Sequence, residues 1–211
     1  LNAIYEEDFL GFSYGFRPGR GTHDALDALV VGIKSTKVNW ILDADIRSFF
    51  DEISQQWLVR FLEHRIGDRR IIRLIQKWLK AGILEDGIVT GSEKGTGQGA
   101  VISPLLANIY LHYVLDLWAE RWRRREATGD MIIVRYADDI VVGFEHETDA
   151  RRFGDAMRER LEDRLQGDSG DLAAAMLIQR NGELAGQSPV IQRLLRLVEQ
   201  VVAADGGTPV D

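Results

Sequence analysis

The 211-residue chain is 45% hydrophobic and 28% charged, carries a net charge of -7 and has no cysteine. That length suits one compact domain with a possible appendage, and the lack of cysteine excludes disulfides and thiolate metal sites. No apolar stretch approaches membrane-spanning length and no signal peptide is visible, so a cytoplasmic protein without a membrane partner is expected. Leu1 in place of an initiator methionine implies a natural start further upstream. The acidic balance argues against a nucleic-acid partner on net charge alone. The deficit falls mostly after Glu145, however, and basic clusters stand between Arg65 and Lys80 and between Arg121 and Arg125. Such runs are most often solvated helix faces.

The first informative block is Tyr14-Gly15-Phe16-Arg17-Pro18-Gly19-Arg20-Gly21. Glycine and proline make it a loop, and its two guanidinium forks suit phosphate. Ala25, Leu26, Leu29, Val30 and Ile33 then repeat at helical spacing behind Thr22. Trp40 to Ile46 reads as a strand with Asp43 and Asp45 on one face. Ser48-Phe49-Phe50-Asp51 turns the chain away. Ser54 is suited to cap a helix through Arg65, and Asp68 to cap another, whose buried face Ile71, Ile72, Leu74, Ile75, Trp78 and Leu79 are expected to fill.

Ile83 to Thr90 reads as a hairpin turning at Asp86-Gly87. Three glycines at alternate positions in Gly95-Thr96-Gly97-Gln98-Gly99 allow backbone to approach a ligand closely. No Gly-Lys-Ser/Thr follows, so this is not a P-loop. Ser103-Pro104 opens a long, mostly buried helix with a basic end. Met131 to Val134 and Ile140 to Val142 read as paired strands around Tyr136-Ala137-Asp138-Asp139. Two adjacent carboxylates repel one another, and a divalent cation is the usual way to offset that. Taken alone, the Asp-Asp pair is equally an ordinary turn. Thr148 caps a further helix, in which Gly154 is out of place. Gly167-Asp168-Ser169-Gly170 has a linker composition, and an amphipathic helix follows Pro189.

Arg17-Pro18-Gly19-Arg20, Ala44-Asp45-Ile46-Arg47-Ser48-Phe49-Phe50-Asp51, Gln98-Gly99 through Ser103-Pro104-Leu105-Leu106-Ala107-Asn108-Ile109-Tyr110, and Tyr136-Ala137-Asp138-Asp139 stand in one order. In that order and spacing they resemble a bacterial group II intron-type reverse transcriptase over residues 1–165. The resemblance implies an α+β fold: a right-hand polymerase palm, an antiparallel sheet with helices packed on one face, and partial fingers. It also implies RNA-directed DNA synthesis with two Mg²⁺ ions, or Mn²⁺, held by Asp45, Asp138 and Asp139, with Ile46 counted in the metal set. The implied substrate-binding residues are Phe49, Phe50, Gln98, Arg17 and Arg20, with Phe50 as a gate against the ribose 2′-hydroxyl. Phe50 considered singly reads as core, and Gln98 as a loop residue. The implied partners are an RNA template, a primer, deoxynucleoside triphosphates and intron RNA.

Residues 166–211 are expected to be a linker and helix rather than an independent domain. Gly182 to Leu195 is similar to the opening of the AAA+ domain of enhancer-binding transcription activators, without a Walker A loop. The family's remaining palm and thumb segments are not found after Leu165, so an impaired or inactive polymerase is expected. The alternatives are a non-catalytic intron-RNA-binding maturase or remnant, and a nucleotide cyclase, whose palm-like sheet also carries metal-binding acids.

Overall fold

The computed structural model describes residues 1–46, 49–80, 83–85, 88–90, 102–165 and 174–180. The elements are, in chain order, α1 (Asn2–Tyr5), α2 (Thr22–Ser35), β1 (Trp40–Ile46), α3 (Phe49–Glu52), α4 (Gln55–Arg65), α5 (Arg69–Lys80), β2 (Ile83–Glu85) and β3 (Ile88–Thr90). Then come α6 (Ser103–Leu111), a π-helical turn (His112–Asp116), α7 (Leu117–Arg125), β4 (Met131–Tyr136), β5 (Asp139–Phe144), α8 (Glu147–Arg164) and β6 (Ala174–Arg180). The fold is α+β, as expected. The chain forms two compact units, one of Leu1–Leu10, Ile46–Arg125 and Asp155–Ala174, the other of Gly11–Asp45, Glu126–Gly154 and Ala175–Asp211.

The first unit is mostly helical. Ser54 caps α4, its Oγ accepting from the Trp57 amide at 3.4 Å, and Asp68 accepts from the Arg70 amide at 2.8 Å before α5. Both caps are legible in the sequence, because a short polar side chain satisfies an amide that the helix start leaves without a partner. Leu58 and Leu62 of α4 and Ile72, Ile75 and Leu79 of α5 are buried, whereas Ile71, Leu74 and Trp78, expected on the same buried face, are exposed. An aromatic chain ties α4 to α6 and the π-helical turn: Phe61 stacks on Tyr113 at 4.9 Å and meets Tyr110 edge-on at 5.7 Å. The Tyr110 hydroxyl donates to the Arg164 carbonyl. The π-helical turn has no signature in the apolar spacing, which reads as one continuous α-helix. The Ile83–Thr90 hairpin forms with Ile83 opposite Thr90.

The second unit holds the four-stranded sheet, in the order β4-β5-β1-β6. Both β4–β5 and β5–β1 are antiparallel. Helix α2 covers one face through Ala25 and Leu29, which pack with Ile41, Val134 and Val141. It lies close, since a Cβ on Gly32 would fall 2.9 Å from Ile132 Cδ1. On the alternate face Phe144 meets Phe153 of α8 at 5.5 Å, so helices reach both faces. Asp149 anchors that helix start, accepting from the Thr128 amide at 2.7 Å and its hydroxyl at 2.9 Å. Gly154 continues the helix despite its poor propensity. Strand β6 falls where the sequence suggests no element, because Ala174-Ala175-Met176 has neither alternation nor β-branching.

Residues 11–20 fold onto the outer edge of β4. The Arg135 amide donates to the Phe12 carbonyl and the Tyr14 amide to the Arg135 carbonyl, each at 2.8 Å. Gly15 then presses on the β4–β5 turn, where an added Cβ would lie 2.3 Å from the Ala137 nitrogen. Gly15→Ala is therefore expected to lose roughly 1–3 kcal/mol of stability through overpacking. Gly11→Ala, where nothing lies within 4 Å, should stay within about 0.5 kcal/mol. Urea denaturation of the two variants checks this.

Burial pushes the Tyr110 phenol up to about 12, against about 10 in an unfolded chain. The Tyr5 phenol is pushed higher still, first by burial and then by the charges of Tyr113 and Asp8. The folded state holds these protons more tightly than the unfolded one. Their contribution is therefore complete below pH 10 and is lost as pH rises from 10 through about 12. Denaturation midpoints measured across that range should fall, and should fall less in Tyr110→Phe.

Candidate functional site

The end of the sheet where β1 finishes and β5 starts is the chemically distinctive place in the second unit. Asp45 and Asp139 are direct cross-strand partners. Side chains opposite one another on an antiparallel pair have Cβ atoms about 4.5–5.5 Å apart. Asp138 stands beside Asp139 in the two-residue turn closing the β4–β5 hairpin. The structure therefore brings Asp45 to the same sheet end as Asp138 and Asp139, which come more than ninety positions later in the chain. Asp139 is buried, and Asp45 and Asp138 are half-buried. Asp43, two residues before Asp45 and opposite Val141, is 5% exposed and lies farther along the sheet.

The turn itself is unusual. Ala137 has φ +56°, in the left-handed region where a two-residue hairpin turn normally takes glycine. Arg135 supports it from inside. Its side chain is fully buried, with Nη1 donating to the Ala137 carbonyl at 2.8 Å and Nη2 to Ser13 Oγ at 2.7 Å. Tyr136, the partner of Asp139 across the hairpin, has its phenol raised by burial and then by the Asp139 charge.

Arg17 and Arg20 sit in the loop held against β4. Arg17-Pro18-Gly19-Arg20 closes a tight turn with Pro18 at its second place and Gly19 at φ +69° at its third, the chemistry of a type II turn. Arg17 is buried and donates to the Ser13 carbonyl at 2.6 Å. Arg20 donates to the Gly11 carbonyl at 2.6 Å and lies over the Tyr14 ring at 5.2 Å. Both guanidiniums thus brace their own loop. Phe49 and Phe50 belong to α3 in the first unit, where Phe49 is buried between Phe50 at 5.6 Å and Tyr110 at 6.3 Å. Ile46 is buried at the end of β1 and could offer a cation only its backbone carbonyl. Gln98 lies outside the described residues. Sequence reasoning passed over Arg135 and Ser13, although an arginine amid β-branched residues beside two acids is a usable signal.

Among the described residues, no three His, Asp or Glu side chains come close enough together to hold a metal ion. The donor chemistry nevertheless fits a hard cation. Mg²⁺ is commonly held by one or two carboxylates with waters and substrate phosphates rather than by a full protein cage. The Asp45–Asp139 pair with neighbouring Asp138 can supply that share.

Comparison with known proteins agrees with this architecture. The reverse transcriptase (RNA-dependent DNA polymerase) family model matches residues 1–166. An uncharacterized 91 kDa protein in the cob intron of Schizosaccharomyces pombe is 44% identical over 112 residues, covering 53% of this chain and 14% of that protein. The group II intron-encoded protein LtrA of Lactococcus lactis is 41% identical over 121 residues, covering 56% of this chain and 20% of LtrA. Protein YkfC of Escherichia coli is 35% identical over 133 residues, covering 62% and 35%. The chain thus matches about a third or less of these relatives' length. Among solved structures, telomerase from Candida albicans in complex with a fragment of telomeric RNA superposes with a TM-score of 0.60 at 12% identity, covering 85% of this chain and 33% of that one. Apo telomerase from Candida tropicalis, truncated from its C-terminal domain, gives 0.57 at 15% identity, covering 89% and 39%. These likenesses concern the fold alone. On the sequence match over residues 1–166, the chain belongs to the reverse transcriptase family.

Proposed function

We propose that this chain carries the nucleotidyl-transfer centre of an RNA-directed DNA polymerase of the group II intron type. It would extend a primer on an RNA template with deoxynucleoside triphosphates. The observation that carries the reading is the cross-strand pairing of Asp45 with Asp139, with Asp138 in the adjoining turn. Asp45, Asp138 and Asp139, with the Ile46 carbonyl, would hold two Mg²⁺ ions, and the same oxygen donors also suit Mn²⁺. When bound, those ions would supply charge neutralisation and an acidified primer 3′-hydroxyl. The acids' own work is to fix the positions at which phosphate oxygens and the primer end meet. Phosphoryl transfer depends mainly on such positioning and on electrostatics.

The remaining roles follow the same reading. The Phe49 backbone amide would meet the triphosphate, Phe50 would exclude a ribose 2′-hydroxyl, and Gln98 would lie near the incoming nucleotide. Arg20, half-buried and stacked on Tyr14, is better placed than buried Arg17 to reach a template or triphosphate phosphate.

Single-nucleotide incorporation on a primed RNA tests the proposal. It should require Mg²⁺ or Mn²⁺, stop in EDTA, and fall by at least roughly a hundredfold in Asp138→Ala, the scale for losing a preorganised electrostatic group. Asp155→Asn, at an exposed position on α8, should leave it unchanged. Incorporation that survives Asp138→Ala would refute the assignment. RNA binding that persists in EDTA without any incorporation would favour the splicing-cofactor alternative.

A further inference from the structure

The geometry points to Arg135 as the positioning residue of the acidic turn: its buried guanidinium fixes the Ala137 carbonyl, and with it the direction in which Asp138 and Asp139 leave the sheet. The importance of those acids rests on the polymerase reading. The bracing of the turn does not.

Four observations meet at this residue. Arg135 is the largest fully buried side chain among the described residues, at 0% exposure. An ionised group so placed is costly unless it is hydrogen-bonded. Its two terminal nitrogens reach different segments, Nη1 the Ala137 carbonyl at 2.8 Å and Nη2 Ser13 Oγ at 2.7 Å. Its backbone is held by the same loop, through Phe12 and Tyr14. The residue whose carbonyl it holds, Ala137, has φ +56°, a conformation that persists only when its surroundings impose it.

Gly15 completes the arrangement, because it brings the loop backbone against Ala137 where a side chain would collide. The loop, the guanidinium and the turn therefore form one unit behind the acids. A lysine retains the charge on one compact ammonium in place of two separate nitrogens, and a methionine fills much of the space without a donor.

The test uses the 211-residue chain with Arg135→Met, Arg135→Lys and Ser13→Ala. Amide hydrogen exchange is followed at residues 136–139, with α4 as an internal reference. Manganese binding is followed by water-proton relaxation. In Arg135→Met, exchange at 136–139 should quicken roughly tenfold or more while α4 stays unchanged, the scale for losing a charged hydrogen bond. Manganese should bind roughly tenfold more weakly, as when a supporting group behind a ligand is lost. Arg135→Lys should recover part of both effects. Ser13→Ala, which keeps the guanidinium, should give a smaller rise confined to the turn and to residues 12–14, and it decides the matter if Arg135→Met does not fold.

Exchange that is unchanged in the variants, or that rises equally in α4, would overturn the inference. Faster exchange at the turn with unaltered manganese affinity would overturn the positioning role. If the unmodified chain binds no manganese, it is the polymerase reading that fails, and the exchange data still decide whether Arg135 braces the turn.

Discussion

The pairing of β1 with β5 sets Asp45 opposite Asp139, and the rest of the site depends on that register. Side chains alternate along a strand, so a slip of one residue would send the two carboxylates to opposite faces. The register is held by apolar residues distant from the chemistry. Ile41, Val134 and Val141 pack beneath α2, and Phe144 meets Phe153 on the alternate face. With both faces occupied, a slip would expose apolar side chains and bury polar ones. Burial of aliphatic groups thereby determines where charged groups meet.

That meeting is unfavourable in itself. Three acids at one sheet end repel, and Ala137 adds a backbone conformation that an alanine rarely adopts. The fold opposes this with a buried arginine and a loop bound by main-chain hydrogen bonds on the outer side of β4. Local backbone strain persists when neighbouring structure over-determines it. The sheet, the guanidinium and residues 11–20 do so here from three directions.

Much of the architecture was legible because its signals are local. The strands at Trp40 and Met131, and the caps Ser54 and Asp68, declare themselves by apolar, β-branched runs and by short polar side chains at helix starts. The grouping of Asp45 with Asp138 and Asp139 came from motif order rather than from periodicity. What stayed hidden is non-local. Ser13 and Arg135 are 122 positions apart, and no pattern within a window of ordinary length joins them. Arg17 and Arg20 read as forks open to phosphate, yet each also braces its own loop's carbonyls. The π-helical turn at His112–Asp116 leaves the spacing of apolar residues nearly unaltered, so it too is silent in the sequence.

Strand β6 begins at Ala174, past the last residue that the family model matches, and lies next to β1. Its presence makes β1 an interior strand. An outermost strand presents a row of open amides and carbonyls that can recruit a foreign chain. A stretch outside the family match thus occupies the edge of the acid-bearing strand at which adventitious β-augmentation would otherwise take place.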